Sequence, residues 1–210
     1  DVVFDYNGQT DGDTHKAVLQ NISYEIQKGD YVAITGTSGC GKSTMLKLLM
    51  GIYEPQAGTV KVVMKDGTAL PVSDMRRLFA YVPQGNFLMG GSIRDVITFA
   101  QDSDLGQLRQ VLKLACADFV YDLPDGVETV LGERGAGLSE GQMQRIAIAR
   151  ALYADCPVLI LDESTSALDE QTERQLLQHL KELTDKTVLI VTHRAQALTI
   201  CNRKLVLNQE

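Results

Sequence analysis

The sequence predicts an α/β fold, a mostly parallel sheet flanked by helices, with an antiparallel β portion at the N-terminus and a helical subdomain inserted in the middle. Three observations carry this. Residues 31–35, 158–161 and 187–191 are short apolar runs, as parallel strands covered on both faces require. Helical periods alternate with them, building strand–helix–strand units. Between the first run and the other two, residues 92–122 hold apolar side chains at helical spacing.

In chain order, residues 2–6 read as a strand. Ile22, Tyr24 and Ile26 alternate with polar neighbours, a half-exposed strand ending at the Lys28-Gly29-Asp30 turn. Residues 31–35 run into a glycine-rich loop, and 43–50 form a helix stopped by Gly51. Residues 61–64 and 78–82 are strands on either side of an Asp66-Gly67 turn. Val96, Ile97 and Phe99, then Leu105, Leu108, Val111, Leu112 and Ala115, mark the insert. Residues 139–153 form a helix with Ser139 as N-cap. Asp169 caps another carrying Leu176, Leu177, Leu180 and Leu183. The expected division is a core of residues 1–85 and 151–210 and an all-helical subdomain of 86–150.

The 210 residues carry a net charge of −7 and a pI near 5.0, which argues against a nucleic-acid partner, since phosphate contacts need clustered Lys and Arg. No run of 18 apolar residues marks a membrane span. Cys40, Cys116, Cys156 and Cys201 form no CxxC pair and read as free thiols. The start at Asp1, directly before a strand, reads as a domain excised from a longer chain, with both ends trimmed.

Gly36-Thr37-Ser38-Gly39-Cys40-Gly41-Lys42-Ser43, followed by Thr44, is a phosphate-binding loop. Its glycines let successive amides point inward, and the following helix adds its positive end. Lys42 would bridge β- and γ-phosphates and the Ser43 hydroxyl would ligate Mg²⁺. Cys40 would place a thiol beside that site. The run 158–161 delivers Asp162 and Glu163 to the C-terminal sheet edge, where nucleotides bind in such folds. Asp162 would hold Mg²⁺ through water, and Glu163 is a general-base candidate. Ser139-Glu140-Gly141-Gln142 is a second helix start with a hydroxyl, a second anion-binding end in a chain with one complete nucleotide loop.

This motif order, with Leu138-Ser139-Glu140-Gly141-Gln142 after the phosphate loop and before Asp162-Glu163, resembles the ATP-binding cassette (ABC) ATPase family. The resemblance covers nearly the whole chain and implies a P-loop NTPase core using ATP and Mg²⁺. It implies catalytic roles for Lys42, Gln84, Glu163 and His193, with Gln84 as the Q-loop glutamine touching Mg²⁺ and water and His193 as the switch histidine. Tyr6 resembles the aromatic residue that stacks on adenine. Ser166-Ala167-Leu168-Asp169 resembles the D-loop. Ser139, Gly141, Gln142 and Asp169 would act in trans, on ATP held by a second copy of the domain.

The segments Phe87 to Val96 and Gly132-Glu133-Arg134-Gly135 look like exporter segments, which implies a membrane domain contacted near Gln84 and Glu133-Arg134 at the cytoplasmic face of a cell membrane. Two other classes of the family fit this sequence less well. DNA-repair and chromosome-organising relatives carry long coiled coils between loop and signature, and here that interval holds only a small insert. Importer ATPases lack the exporter-like segments.

Overall fold

The computed structural model describes residues 2–4, 18–85, 90–101, 104–132 and 137–207. β1 (Val2–Phe4) and β2 (Leu19–Ile22) pair antiparallel. β3 (Tyr31–Gly36) leads through the glycine loop into α1 (Lys42–Leu49). β4 (Lys61–Val63) and β5 (Ala69–Pro71) form a hairpin, followed by a 3₁₀ segment (Val72–Leu78) and β6 (Phe79–Val82). The insert holds β7 (Gly91–Ser92), α2 (Ile93–Thr98), α3 (Leu105–Leu114), two 3₁₀ turns (Asp118–Asp122 and Gly126–Glu128) and β8 (Val130–Leu131). Then come α4 (Glu140–Tyr153), β9 (Val158–Asp162), α5 (Glu170–Lys181), β10 (Thr187–Val191), α6 (Ala195–Leu198) and β11 (Arg203–Leu207).

Five strands make one parallel sheet in the order β11-β3-β10-β9-β6. Because side chains alternate across a strand, the continuous apolar runs feed two cores. Val32, Ile34, Ile160, Leu189 and Val191 pack on Met45, Leu46 and Leu48 of α1. Val82, Leu159, Leu161, Val188 and Ile190 face the other way, onto Ile146 and Ile148 of α4 and Leu176, Leu177 and Leu180 of α5. Side chains as buried as Ile160 and Leu161 each contribute about 1.5–3 kcal/mol. This two-sided packing holds the C-terminal sheet edge still.

Leu108, Val111 and Leu112 of α3 and Ile93, Val96 and Ile97 of α2 belong to the second core too. The insert therefore shares the sheet's apolar layer through α4, and the expected border at residue 150 falls inside that helix.

The structure departs from three expectations and adds one element. The early strand is Leu19–Ile22 rather than a run through Ile26, because its pairing with β1 ends at Val2 opposite Ile22. The Asp66-Gly67 turn joins β4 to β5, and Phe79–Val82 lies apart from that hairpin, beside β9 in the parallel sheet. A three-residue edge strand containing Pro71 has too little pattern to announce itself. The insert is not all helical, since Gly91 and Ser92 pair with Leu131 and Val130. Ser92 then caps α2, accepting from the Asp95 amide at 3.0 Å. Finally β11, not expected at all, joins the sheet edge beside β3, and Arg203 at its start donates to the buried Asp30 carboxylate at 2.7 Å.

Candidate functional site

The loop between β3 and α1 turns on glycines that no other residue could replace without strain. Gly39 and Gly41 have φ of 80° and 95°. A Cβ on Gly36 (φ 153°) would come within 2.3 Å of the Leu207 carbonyl oxygen. Thr37 and Ser38 are exposed on the loop, whereas Thr44, in the first turn of α1, is buried. Gly41 caps α1 with no side-chain hydrogen bond, so that helix start keeps amides available to an anion. Lys42 is buried to 8% exposure, and its ammonium donates to the carbonyls of Gly36 at 2.8 Å and Thr37 at 2.9 Å. The charge is thus held over the loop by backbone oxygens, and among the described residues no carboxylate forms an ion pair with it.

Cys40 departs from expectation. Its side chain is 3% exposed and packs in the core beneath the loop with Phe4, Leu19 and Leu207. A Cβ on Gly36 would meet its Sγ at 2.6 Å. The thiol lies in the core under the loop backbone rather than on the loop's open side, because a small apolar group fits there well.

Asp162 ends β9 at 2% exposure. Its Oδ2 accepts from the Ser43 hydroxyl at 3.2 Å and the Tyr81 hydroxyl at 2.9 Å. Burial holds its pKa above the ordinary carboxylate value, opposed by those two hydrogen bonds. Burial, then the Asp162 charge, pushes the Tyr81 phenol up, keeping it a donor. Sequence reasoning missed Tyr81. The available signal was a polar-tipped aromatic in a buried strand, which needs a partner for its hydroxyl. It stands opposite Ile160, two residues before Asp162.

Glu163 leaves the strand with φ of 49°, its amide donating to the Val191 carbonyl at 3.0 Å. Its carboxylate accepts from the Gln84 amide at 2.7 Å and lies 3.8 Å from His193 Nε2. Gln84 follows β6 and His193 follows β10, so three strand ends deliver three side chains to one point. The Gln84 side chain thus donates to Glu163, not to the Ser43–Asp162 pair. A half-buried carboxylate that accepts from an amide and has a histidine nearby is placed as a general base would be. Two hard oxygens from Ser43 and Asp162 are the donor type Mg²⁺ takes, with most of its shell left to water. Among the described residues, no group of three or more His, Cys, Asp or Glu side chains could hold a metal ion.

The signature helix is organised differently. Ser139 Oγ accepts from the Gln142 amide at 3.2 Å, and Gln142 Oε1 accepts from the Ser139 amide at 2.8 Å, closing the start of α4. A Cβ on Gly141 would stand 2.8 Å from the Ala167 carbonyl oxygen, so glycine is required by close packing within the chain. Gln144, 2% exposed, donates to Ser166 Oγ at 3.2 Å and accepts from the Ala167 amide at 3.1 Å. Asp169 caps α5, taking the Gln171 and Thr172 amides and the Thr172 hydroxyl. Arg194, beside His193, donates to the carbonyls of Thr165 at 2.7 Å and Leu168 at 3.0 Å. Tyr6, residues 87–89 of the exporter-like segment and Glu133-Arg134 lie outside the described residues.

Residues 19–166 match the sequence pattern of the ABC transporter family. The chain is 39% identical over 213 residues to the ATP-dependent lipid A-core flippase of Vibrio cholerae, covering 100% of the chain and 36% of that protein. It is 40% identical over 205 residues to the flippase of the same name from Ralstonia nicotianae, covering 93% and 34%. A solved bacterial Atm1-family ABC exporter with ATP bound superposes with a TM-score of 0.85 at 35% identity, over 98% of this chain and 36% of that one. The chain spans about a third of the length of the curated relatives it matches.

Proposed function

This chain belongs to the ABC transporter family, and on that premise we propose that it is the ATP-binding, ATP-hydrolysing domain of an exporter, closing head to tail with a second such domain over two Mg-ATP. The observation that carries the proposal is the convergence of Gln84, Glu163 and His193 beside Lys42 and the Ser43–Asp162 pair at one sheet edge. In this reading the amides of 36–44 and the Lys42 ammonium hold the β- and γ-phosphates, and Tyr6 stacks on adenine. Ser43, Gln84 and, through water, Asp162 would hold Mg²⁺, which when bound offsets phosphate charge. Glu163, oriented by the Gln84 amide, takes a proton from water as the water oxygen bonds to the γ-phosphorus. The bond from that phosphorus to the bridging oxygen then breaks, and His193 faces the transferred group.

Ser139 supports the second half of the reading. Its capping bond uses an oxygen lone pair, so its O–H remains a donor for a γ-phosphate on a partner. Gly141, Gln142 and Asp169 would border the same seam. Residues 86–150 would form the helical subdomain against a core of 1–85 and 151–210. Gln84 and Glu133-Arg134 would meet a membrane domain at the cytoplasmic face. Among the described residues no helix is long and apolar enough to cross a membrane, so the membrane part would lie elsewhere in the transporter.

The test is sizing of Glu163→Gln with ATP, with ADP and with neither, then with Ser139→Arg added. A dimer seen only with ATP and abolished by Ser139→Arg is expected. A dimer indifferent to nucleotide, or surviving Ser139→Arg, would refute closure over ATP.

A further inference from the structure

Glu173 is a carboxylate at 1% exposure that the hydrolytic site does not use. A buried charge is costly unless paired and hydrogen-bonded, so its partners indicate what it is for. Oε1 accepts from the Thr165 hydroxyl at 2.9 Å. Oε2 lies 3.2 Å from Arg194 Nε, an ion pair off the line of a good hydrogen bond. The same guanidinium donates through one nitrogen to the carbonyls of Thr165 and Leu168. One arginine thereby clamps both ends of the turn that follows Glu163 and precedes the Asp169 cap, and Gln144 of the signature helix grips the middle of that turn. On its other side Arg194 is fixed by its amide, which donates to Thr192 Oγ1 at 3.0 Å, with Thr192 itself buried. His193 stands between these two anchored residues, exposed, with the 3.8 Å approach to Glu163.

We propose that Arg194, held by buried Glu173, is a positioning residue that joins residues 165–168 and His193 into one rigid unit, so that a displacement of the turn displaces the histidine. This rests on the hydrolytic reading above. A lysine at 194 keeps the charge beside Glu173 but cannot reach two carbonyls and a carboxylate with one planar fork. If Arg194 acts through His193, its loss should matter only while His193 is present.

The experiment is single-turnover ATP hydrolysis by the chain, Arg194→Lys, His193→Ala and the double variant, with melting temperature and ATP affinity measured alongside. Arg194→Lys is expected to slow hydrolysis roughly tenfold, the size of coupling common within one contact network, at ATP affinity within about twofold of the original. The slowing should vanish in the His193→Ala background. Should Arg194→Lys fail to fold, Glu173→Gln, which keeps the Thr165 contact and removes the charge, carries the same expectation. An unchanged rate, or equal slowing with and without His193, would overturn the positioning role. A chain that does not hydrolyse ATP, or a Glu163→Gln variant as fast as the original, would instead overturn the underlying reading.

Discussion

The start of α1 and the start of α4 are both helix N-termini with a short polar motif, yet their donors are committed in opposite ways. At α1 the cap is Gly41 in a left-handed conformation with no side-chain bond, and the nearby charge, Lys42, is held by the Gly36 and Thr37 carbonyls. At α4 Ser139 and Gln142 satisfy each other reciprocally, and Gly141 is pressed against Ala167. On the proposed reading, the first helix end receives an anion within its own chain. The second is stable by itself and can contribute only what its cap leaves over, the serine O–H and the dipole. A complete site on one side and a finished surface on the other is what two-copy closure requires.

The largest effect should sharpen this contrast at the loop side. Glu163→Gln keeps the shape that Gln84 contacts and removes the base, so hydrolysis should fall about 10²–10⁴-fold with ATP still bound. Near-original turnover would put the base elsewhere. Next, Lys42→Ala removes one charge-assisted interaction of about 1.5–3 kcal/mol, weakening ATP binding roughly 10- to 100-fold by calorimetry. Unchanged affinity would break the assignment of α1 as the anion end.

Changes on the signature side should register first as stability. Gly141→Ala drives a methyl to 2.8 Å of a backbone oxygen and should cost about 1–3 kcal/mol in denaturant unfolding. No loss would mean that α4 and the turn at 167 are loosely joined. Ser139→Ala removes a cap and should cost about 1 kcal/mol while leaving ATP affinity at the loop unaltered. The smallest effect is a pH dependence at Asp169. The Thr172 hydroxyl, then its amide, hold that carboxyl below its ordinary value of 3.8. Its folded pKa being depressed, the cap's contribution is complete above that ordinary value and is lost as pH falls from there through the lower folded value. Melting temperatures of Asp169→Asn and the original chain should converge in acid, and a gap that persists there would assign the cap to Thr172 alone.

The parallel sheet was legible because strands buried on both faces need unbroken apolar runs, and 158–161 and 187–191 have little else to be. The loop and its acidic partner were legible because their chemistry fixes residue types at fixed offsets. What escaped was set by tertiary partners. β11 looks like an ordinary alternating tail until β3 lies beside it, and β7 is two residues long. The thiol of Cys40 was misplaced because sequence gives a neighbour along the chain, not the side of the loop on which a side chain falls. Tyr81 and the Arg194–Glu173 pair unite residues 81 and 162, or 173 and 194, whose proximity only the folded sheet creates.

Glu163 holds φ of 49°, where a residue with a β-carbon carries roughly 1–2 kcal/mol of strain that glycine escapes. Glycine's greater freedom in the unfolded chain returns about 0.5–1 kcal/mol of that, so the balance narrowly favours glycine at this turn. Selection for heat tolerance alone would therefore pull position 163 toward glycine. On the proposed hydrolytic reading, the carboxylate sits at a residue where durability and turnover want different amino acids.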